Sequence, residues 1–255
     1  MSDVWSAMDI HPTAIVSADA MLGAGCRVGA FTVIEAGTEI GAGTVIGSHC
    51  HIGAPAMDSS LGGLRIGADS LIRSHSIFYN GSTFGRGLKT GHRVTVRERT
   101  IAGEALQIGT LGDIQGHCRI GDHVRFHSNV HVGHHSHIGD YVWIFPYVVL
   151  TNDPTPPSEE LAGCTIGDFA AIATMSTVLP GVRVGKDALV GAMTLVRSDV
   201  EDGGICVGNP GKVIGQTDRI RLRSTGKPAY PWRRHFHRGY PDAVVADWKR
   251  EFPDG

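Results

Sequence analysis

From Ile10 onward an apolar residue returns at every sixth position: Val16, Leu22, Val28, Ile34, Ile40, Ile46 and Ile52. The series resumes at Ile66, Ile72, Phe78 and Phe84, continues through Val96 and from Ile108 to Leu150, and closes with Ile166, Ile172, Val178, Val184, Val190 and Val196. Of the 29 hexads so defined, 27 begin with a bulky apolar side chain; Thr90 and Ala102 are the weak members. A period of six fits neither a helix face nor a long alternating strand. It fits one short strand and one turn, repeated, with the first residue of each hexad pointing inward. The fifth position, small in Ala14, Ala20, Thr32, Thr38, Thr44, Ser70 and Ser76, is predicted to point inward too, while Gly, Asn or Asp beside it permits the turn. All five cysteines (Cys26, Cys50, Cys118, Cys164 and Cys206) fall in that fifth row, which makes them buried structural thiols.

Two interruptions stand out, because a solenoid accepts insertions only at its corners, where loops carry function. The segment 54–65 includes eight extra residues and the segment 152–165, rich in proline and acids, includes ten. The hexads stop near Gly215. Residues 1–215 therefore read as one repeat domain and 216–255 as an extension of different composition. From Lys212 to Gly255 there are ten Lys and Arg against five acids, whereas the rest of the chain has 13 against 20. Pro241 and Asp242 mark the start of a short helix there.

Composition narrows the class. With 255 residues, 42% of them hydrophobic and 19% charged, the chain can bury a core and is not a disordered tail protein. Its 35 glycines lack the every-third spacing of collagen. The opening MSDVWSAMDIHP has no basic region leading into an apolar run, and the apolar stretch from Tyr141 to Leu150 is too short to span a bilayer, so a cytoplasmic protein without a membrane partner is expected. The cysteines lack CxxC spacing, against a disulfide framework or zinc ribbon. The net charge of −2 offers no broad basic surface, so no nucleic-acid partner is expected, and the basic tail suits a solenoid cap or the phosphates of a small ligand.

The hexads resemble those of the hexapeptide-repeat acyltransferases. That resemblance implies an all-β fold, a left-handed parallel β-helix with three hexads per coil and a short, partly helical C-terminal extension, assembled as a homotrimer. Three hexads per coil stack residues 18 apart, placing Asn80, Glu98, Gly116, His134 and Asn152 in one row and Arg99, His117, His135 and Asp153 in the next. Histidine clusters here, with seven of fourteen between His117 and His137. An imidazole that titrates near neutrality is a ready general base.

Three stretches carry the functional resemblance. SNVHVGHHSHIGD resembles the active-site segment of the UDP-N-acetylglucosamine acyltransferases; His131 and His134 match its two histidines, which implies His134 as general base. His135 stands where that family has an acid, leaving Glu98 or Asp153 to orient His134. TGHRVTVRE and TNDPTPP resemble nucleotide-sugar N-acetyltransferases of surface-polysaccharide pathways, implying that His92, Arg97 and Glu98 lie near the sugar and that Asn152 and Asp153 begin the covering loop. The third block, with its closing Gly208-Asn209-Pro210-Gly211-Lys212, resembles the last coils of acetyl-CoA-dependent relatives. It implies that Ala173, Gly191, Ala192 and Lys212, with Arg183 and Arg197 nearby, receive acetyl-CoA, and that no metal is needed. The expectation is N-acetylation of an amino group on a nucleotide-linked amino sugar, by direct transfer, at sites between subunits. Saccharide O-acetylation is the alternative within the class. A γ-type carbonic anhydrase, whose pattern is broken here by Asn129 at a metal-histidine position, and a non-catalytic solenoid are the alternatives outside it.

Overall fold

In a computed structural model that describes residues 9–253, the hexads become strands one for one. Twenty-nine short strands run from Asp9–Ile10 to Leu195–Val196, and every repeat position lies within one of them. Every third strand pairs in parallel, giving sheets of 12, 10 and 9 strands that form the three faces of a solenoid. We call them face A (from Asp9–Ile10), face B (from Ile15–Val16) and face C (from Met21–Leu22). The register is 18 residues where no loop intervenes, as in Asp113 beside His131 and Ile114 beside Val132.

The inward rows make one continuous core from Cys26 to Cys206. Thr90 and Ala102 are buried like their apolar counterparts. Around them the fifth row is not small: Leu88 and Leu106 are fully buried there and restore the volume that the first row lacks. Where the fifth row is hydroxylic, each hydroxyl needs a buried acceptor. Thr32 donates to the Gly47 carbonyl fifteen residues ahead at 2.7 Å, and Ser82 to that of Arg97 at 3.1 Å. Thr38 is left without a partner, because its equivalent acceptor, Gly53, lies where the chain leaves the stack.

The corners differ from the sequence expectation. Among the described residues, eighteen non-glycine residues adopt left-handed backbone, all at the fourth hexad position, and only Asp69, Asn129 and Asp187 of these are Asn or Asp. Each such residue costs on the order of 1 kcal/mol. The stack offsets this with hydrogen bonds between coils, such as His49 N–H to the Ala30 carbonyl at 2.9 Å, and with side-chain ladders along the corners. His123, Tyr141 and Phe169 form one such ladder, nearly parallel at 5.0 and 4.9 Å between centroids.

Both long loops leave from the same corner, between faces B and C. One follows the face B strand His51–Ala54 and the other the face B strand Val149–Leu150, so together they bracket the turns that start at Tyr79, Arg97, Gln115 and Gly133. At the C-terminal end, Gly204–Val207 closes face A and pairs antiparallel with Lys212–Gln216. The chain then folds back along the solenoid. Trp232, Tyr240 and Trp248, the last on the helix Asp242–Glu251, bury themselves against Tyr141, Trp143 and Phe169. Buried Arg233 ties this segment down, with one terminal nitrogen 2.6 Å from Asp187 and the other 2.9 Å from Glu251. Among the described residues no helix is long and apolar enough to cross a membrane.

Candidate active site

The corner between faces B and C brings together most of the residues singled out from the sequence. His134 is third in its hexad and stands next to His135 along the chain and to His117 on the neighbouring coil. The three rings lie 5.1 to 5.9 Å apart, centroid to centroid. Gly116 makes this approach possible: its φ is +97°, and a Cβ there would fall 2.6 Å from the Glu98 carbonyl oxygen.

One coil below, Glu98 is buried and is gripped by its neighbour Arg97 through two nitrogens at 3.1 and 2.7 Å. Burial pushes the Glu98 carboxyl up, but its own backbone N–H, Arg97 and His117 together outweigh that and hold it below the usual range. His134 goes down, first because it is partly buried and then because of Arg97, His117 and His135, which together outweigh a backbone hydrogen bond with Gly116 that raises it. Its Nδ1 is buried without a hydrogen-bond partner. An imidazolium would need an acceptor for that N–H, so geometry and charge both favour the neutral ring. His117 is lowered likewise, by burial first and by His135 and Arg99 after it.

Face B contributes a second constellation beside the corner. His131 Nδ1 sits 2.9 Å from Asp113, and Gln115 Nε2 donates to the same carboxylate oxygen at 2.7 Å. The strand register places His131 directly beside Asp113.

On the other side of the histidines the corner opens into a pocket of about 540 Å³, roofed by Leu61, Gly62 and Gly63 of the first loop. Arg65, Arg99, Arg119, His117 and His135 line it, and no carboxylate does. Asp58 fastens the loop from outside by pairing with Arg99 at 2.7 Å; the Ser60 hydroxyl and Arg99 hold its carboxyl down at about 2. Such a lining suits an anionic ligand.

The other expected residues are placed as follows. Asp153 does not bond to His134. Its carboxylate accepts the Ser158 hydroxyl at 2.7 Å and the N–H groups of Ser158 and Thr155 at 2.9 and 3.1 Å, so it shapes its own loop. Asn152 closes that loop, its carbonyl accepting the Ala162 N–H at 2.8 Å. His92 follows a face A strand and therefore lies at the corner between faces A and B, where its Nδ1 meets the Ser74 hydroxyl at 2.8 Å. Ala173, Gly191 and Ala192 lie on that same corner, next to face A strands. Arg197 projects at the corner of His134, Lys212 begins the terminal hairpin, and Arg183 sits on face C, paired with Asp202 at 2.9 Å. One chain thus assembles His134, Arg97, Glu98, His131 and Asn152 but holds the expected acetyl-CoA residues mostly elsewhere. The sequence reading passed over Arg65, Arg119, Asp113 and the roof of the first loop. The 18-residue stacking would have found the first three. Among the described residues no group of three or more His, Cys, Asp or Glu converges as metal ligands do.

Known proteins are similar in repeat and in fold. Residues 19–54 match the family described as bacterial transferase hexapeptide (six repeats). A chloramphenicol acetyltransferase of Klebsiella aerogenes is 30% identical over 106 residues, covering 40% of this chain and 49% of the relative. The 2,3,4,5-tetrahydropyridine-2,6-dicarboxylate N-acetyltransferase of Staphylococcus aureus is 35% identical over 94 residues, covering 37% and 34%. The chain thus spans half or less of the length of these curated relatives. Among solved structures, the Arabidopsis UDP-N-acetylglucosamine acyltransferase superposes with a TM-score of 0.69 at 19% identity, over 81% of this chain and 74% of that one, a likeness of fold. The hexads thus fold one for one into the coils of a parallel β-solenoid, and residues 19–54 among the first coils match the bacterial transferase hexapeptide family.

Proposed function

We propose that the protein is an acyl-CoA-dependent acyltransferase that acetylates an amino group of a nucleotide-linked amino sugar, with His134 as general base. The observation that carries this reading is the partly buried His134, pushed toward its neutral form, beside a pocket whose lining includes three arginines and no carboxylate. A nucleotide sugar brings a diphosphate for Arg65, Arg99 and Arg119, and an amine that must lose one proton to become an amide.

In this reading the amine nitrogen attacks the thioester carbonyl while His134 takes its proton, and collapse of the tetrahedral intermediate expels the CoA thiolate, which recovers that proton. Arg97 and Glu98 position the sugar, and the charge of Arg97 helps keep His134 neutral. His131, held by Asp113, and Asn152 flank the acceptor. Glu98 orients the cluster through Arg97 and the charge of His117, not through a bond to His134; Asp153 acts on the covering loop.

The small column Ala173, Gly191 and Ala192 leaves room for the pantetheine arm of acetyl-CoA, with Lys212, Arg197 and Arg183 available to its phosphates. This column and His134 occupy different corners, so they meet across an interface between copies, consistent with the homotrimer that the resemblance implies. Tyr147, Met175 and Met193, stacked along the corner between faces A and B and exposed by 54, 54 and 70%, supply apolar surface for such contact.

Thermal-shift titration with acetyl-CoA, CoA and UDP- and dTDP-linked amino sugars tests the reading. A ligand at a hundred times its Kd stabilises by about 2.7 kcal/mol. Stabilisation by acetyl-CoA and by one nucleotide sugar is expected; no response to any CoA species would sink it.

A further inference from the structure

The C-terminal segment does more than cover the solenoid. Where it crosses face A it leaves a slot of about 200 Å³ between Trp143, Phe145 and Ala171 of the coils and Tyr230, Trp232 and Phe236 of the segment. Trp143 and Phe145 lie within 26° of parallel, and Trp232 and Phe236 stand at 79° and 85° to Trp143. Rings on one plane with others upright around them frame a flat guest, and the volume suits a single base.

Trp143 is also a wall of a second concavity on face A, of about 510 Å³, whose lining includes Arg73, Lys89, Arg125 and Arg238 and no carboxylate. Arg125 is spoken for: its guanidinium lies 4.7 Å from the Trp143 ring centre and 4.2 Å from that of Tyr240, and donates to the carbonyls of Arg238 and Gly239. It anchors the segment. Arg73, Lys89 and Arg238 pair with no carboxylate among the described residues. Three uncompensated cations beside an aromatic slot, with one indole lining both, are two independent halves of one kind of recognition.

We propose that slot and groove together bind a nucleoside diphosphate, the base stacked among Trp143, Phe145 and Phe236 and the phosphates held by Arg238 and Lys89. Two sources share this chemistry, the 3′-phospho-ADP end of CoA and the nucleoside diphosphate of a sugar nucleotide. The proposal rests on the acyltransferase reading for that pair of sources and on the site geometry for the rest. Face A lies across the prism from the corner that carries His134, so the two sites can be perturbed separately.

The test is tryptophan-fluorescence and calorimetric titration of the full chain with CoA, ADP, UDP, dTDP and GDP. Saturable quenching by at least one is expected, since Trp143 and Trp232 form the slot. Phe236→Leu, which keeps apolar packing, should weaken that ligand by about tenfold. Lys89→Gln, on an exposed strand position, should weaken it about three- to tenfold and flatten its salt dependence. Response to CoA and ADP alone makes this an adenine-nucleotide site, and response to UDP, dTDP or GDP one for the nucleotides of sugar donors, in either case additional to the pocket at the histidine corner. Failure of every nucleotide to bind, or binding that Phe236→Leu and Lys89→Gln leave unchanged, overturns the proposal. Nucleotide binding unchanged in both variants, in a protein that turns over acyl-CoA, would refute the slot and spare the acyltransferase reading. Nucleotide binding that persists in His134→Ala, in a protein that turns over no acyl-CoA, would do the reverse.

Discussion

Gly163 ends the second loop at the point where it drops back onto the histidine corner, and replacing it by alanine is a sharp test of that packing. A Cβ at this position would lie 2.1 Å from the His135 carbonyl carbon, 2.2 Å from its oxygen and 2.4 Å from the Ser136 nitrogen. All three are backbone atoms of a coil locked by its neighbours, so no side chain can swing aside. Overpacking of this kind costs about 1–3 kcal/mol. For a chain of this length each kcal/mol lowers Tm by roughly 2–4 °C, so Gly163→Ala should melt about 3–10 °C below the wild type. Gly62→Ala is the matched control. It sits in the first loop, where a Cβ would meet nothing within 4 Å, and should leave Tm within about 1 °C or raise it slightly by restricting the unfolded chain. Calorimetric melting of the two variants decides the matter. Equal melting temperatures would refute the claim that the second loop is packed directly on the His135 backbone.

Three further outcomes follow from the same structure. The five cysteines are buried, and burial pushes Cys118 up to about 11 and Cys164 up to about 12, so native protein should resist an aromatic disulfide reagent that counts all five after denaturation. Arg233→Met removes the partner of half-desolvated Asp187, whose carboxyl burial already raises; the C-terminal segment should loosen by about 3–5 kcal/mol, read as faster hydrogen exchange across 230–252 with the coils unaffected. If His134 acts as a base, only its neutral form works, so kcat/KM falls as pH drops through its pKa. Burial and Arg97 lower that pKa in the wild type, and Arg97→Gln should therefore move the acid limb to higher pH; a limb that stays in place would show that His134 is not the titrating group.

Much of this was legible in the chain. The hexads gave the coils, the inward rows and the burial of every cysteine, because a period of six leaves only one way to keep apolar positions inside. The turn chemistry was less legible. Tyr141 and Phe169 occupy left-handed corners that composition alone assigns to Gly or Asn, since stacking along the ladder offsets a strain that no single residue reveals. His92 shows what counting hexads in threes adds: it follows Thr90 of face A, whereas Glu98 follows Val96 of face B, so within one chain they sit at different corners. The shared corner of the two loops emerges from the same count. The docking of the tail could not be read, because its contacts, such as Trp232 Nε1 to the Phe169 carbonyl at 2.8 Å, join residues far apart in sequence and without periodicity.

The most direct test of His134 as the base of an acyl transfer is steady-state CoA-thiol release from acetyl-CoA with UDP- and dTDP-linked amino sugars, run side by side on the wild type and His134→Ala. Acceptor-dependent thiol release by the wild type and a loss of about a hundredfold or more in kcat/KM, with Tm unchanged, is the predicted result. Equal rates for the two proteins would contradict the assignment of the base, and no acceptor-dependent release by the wild type would contradict the reaction itself.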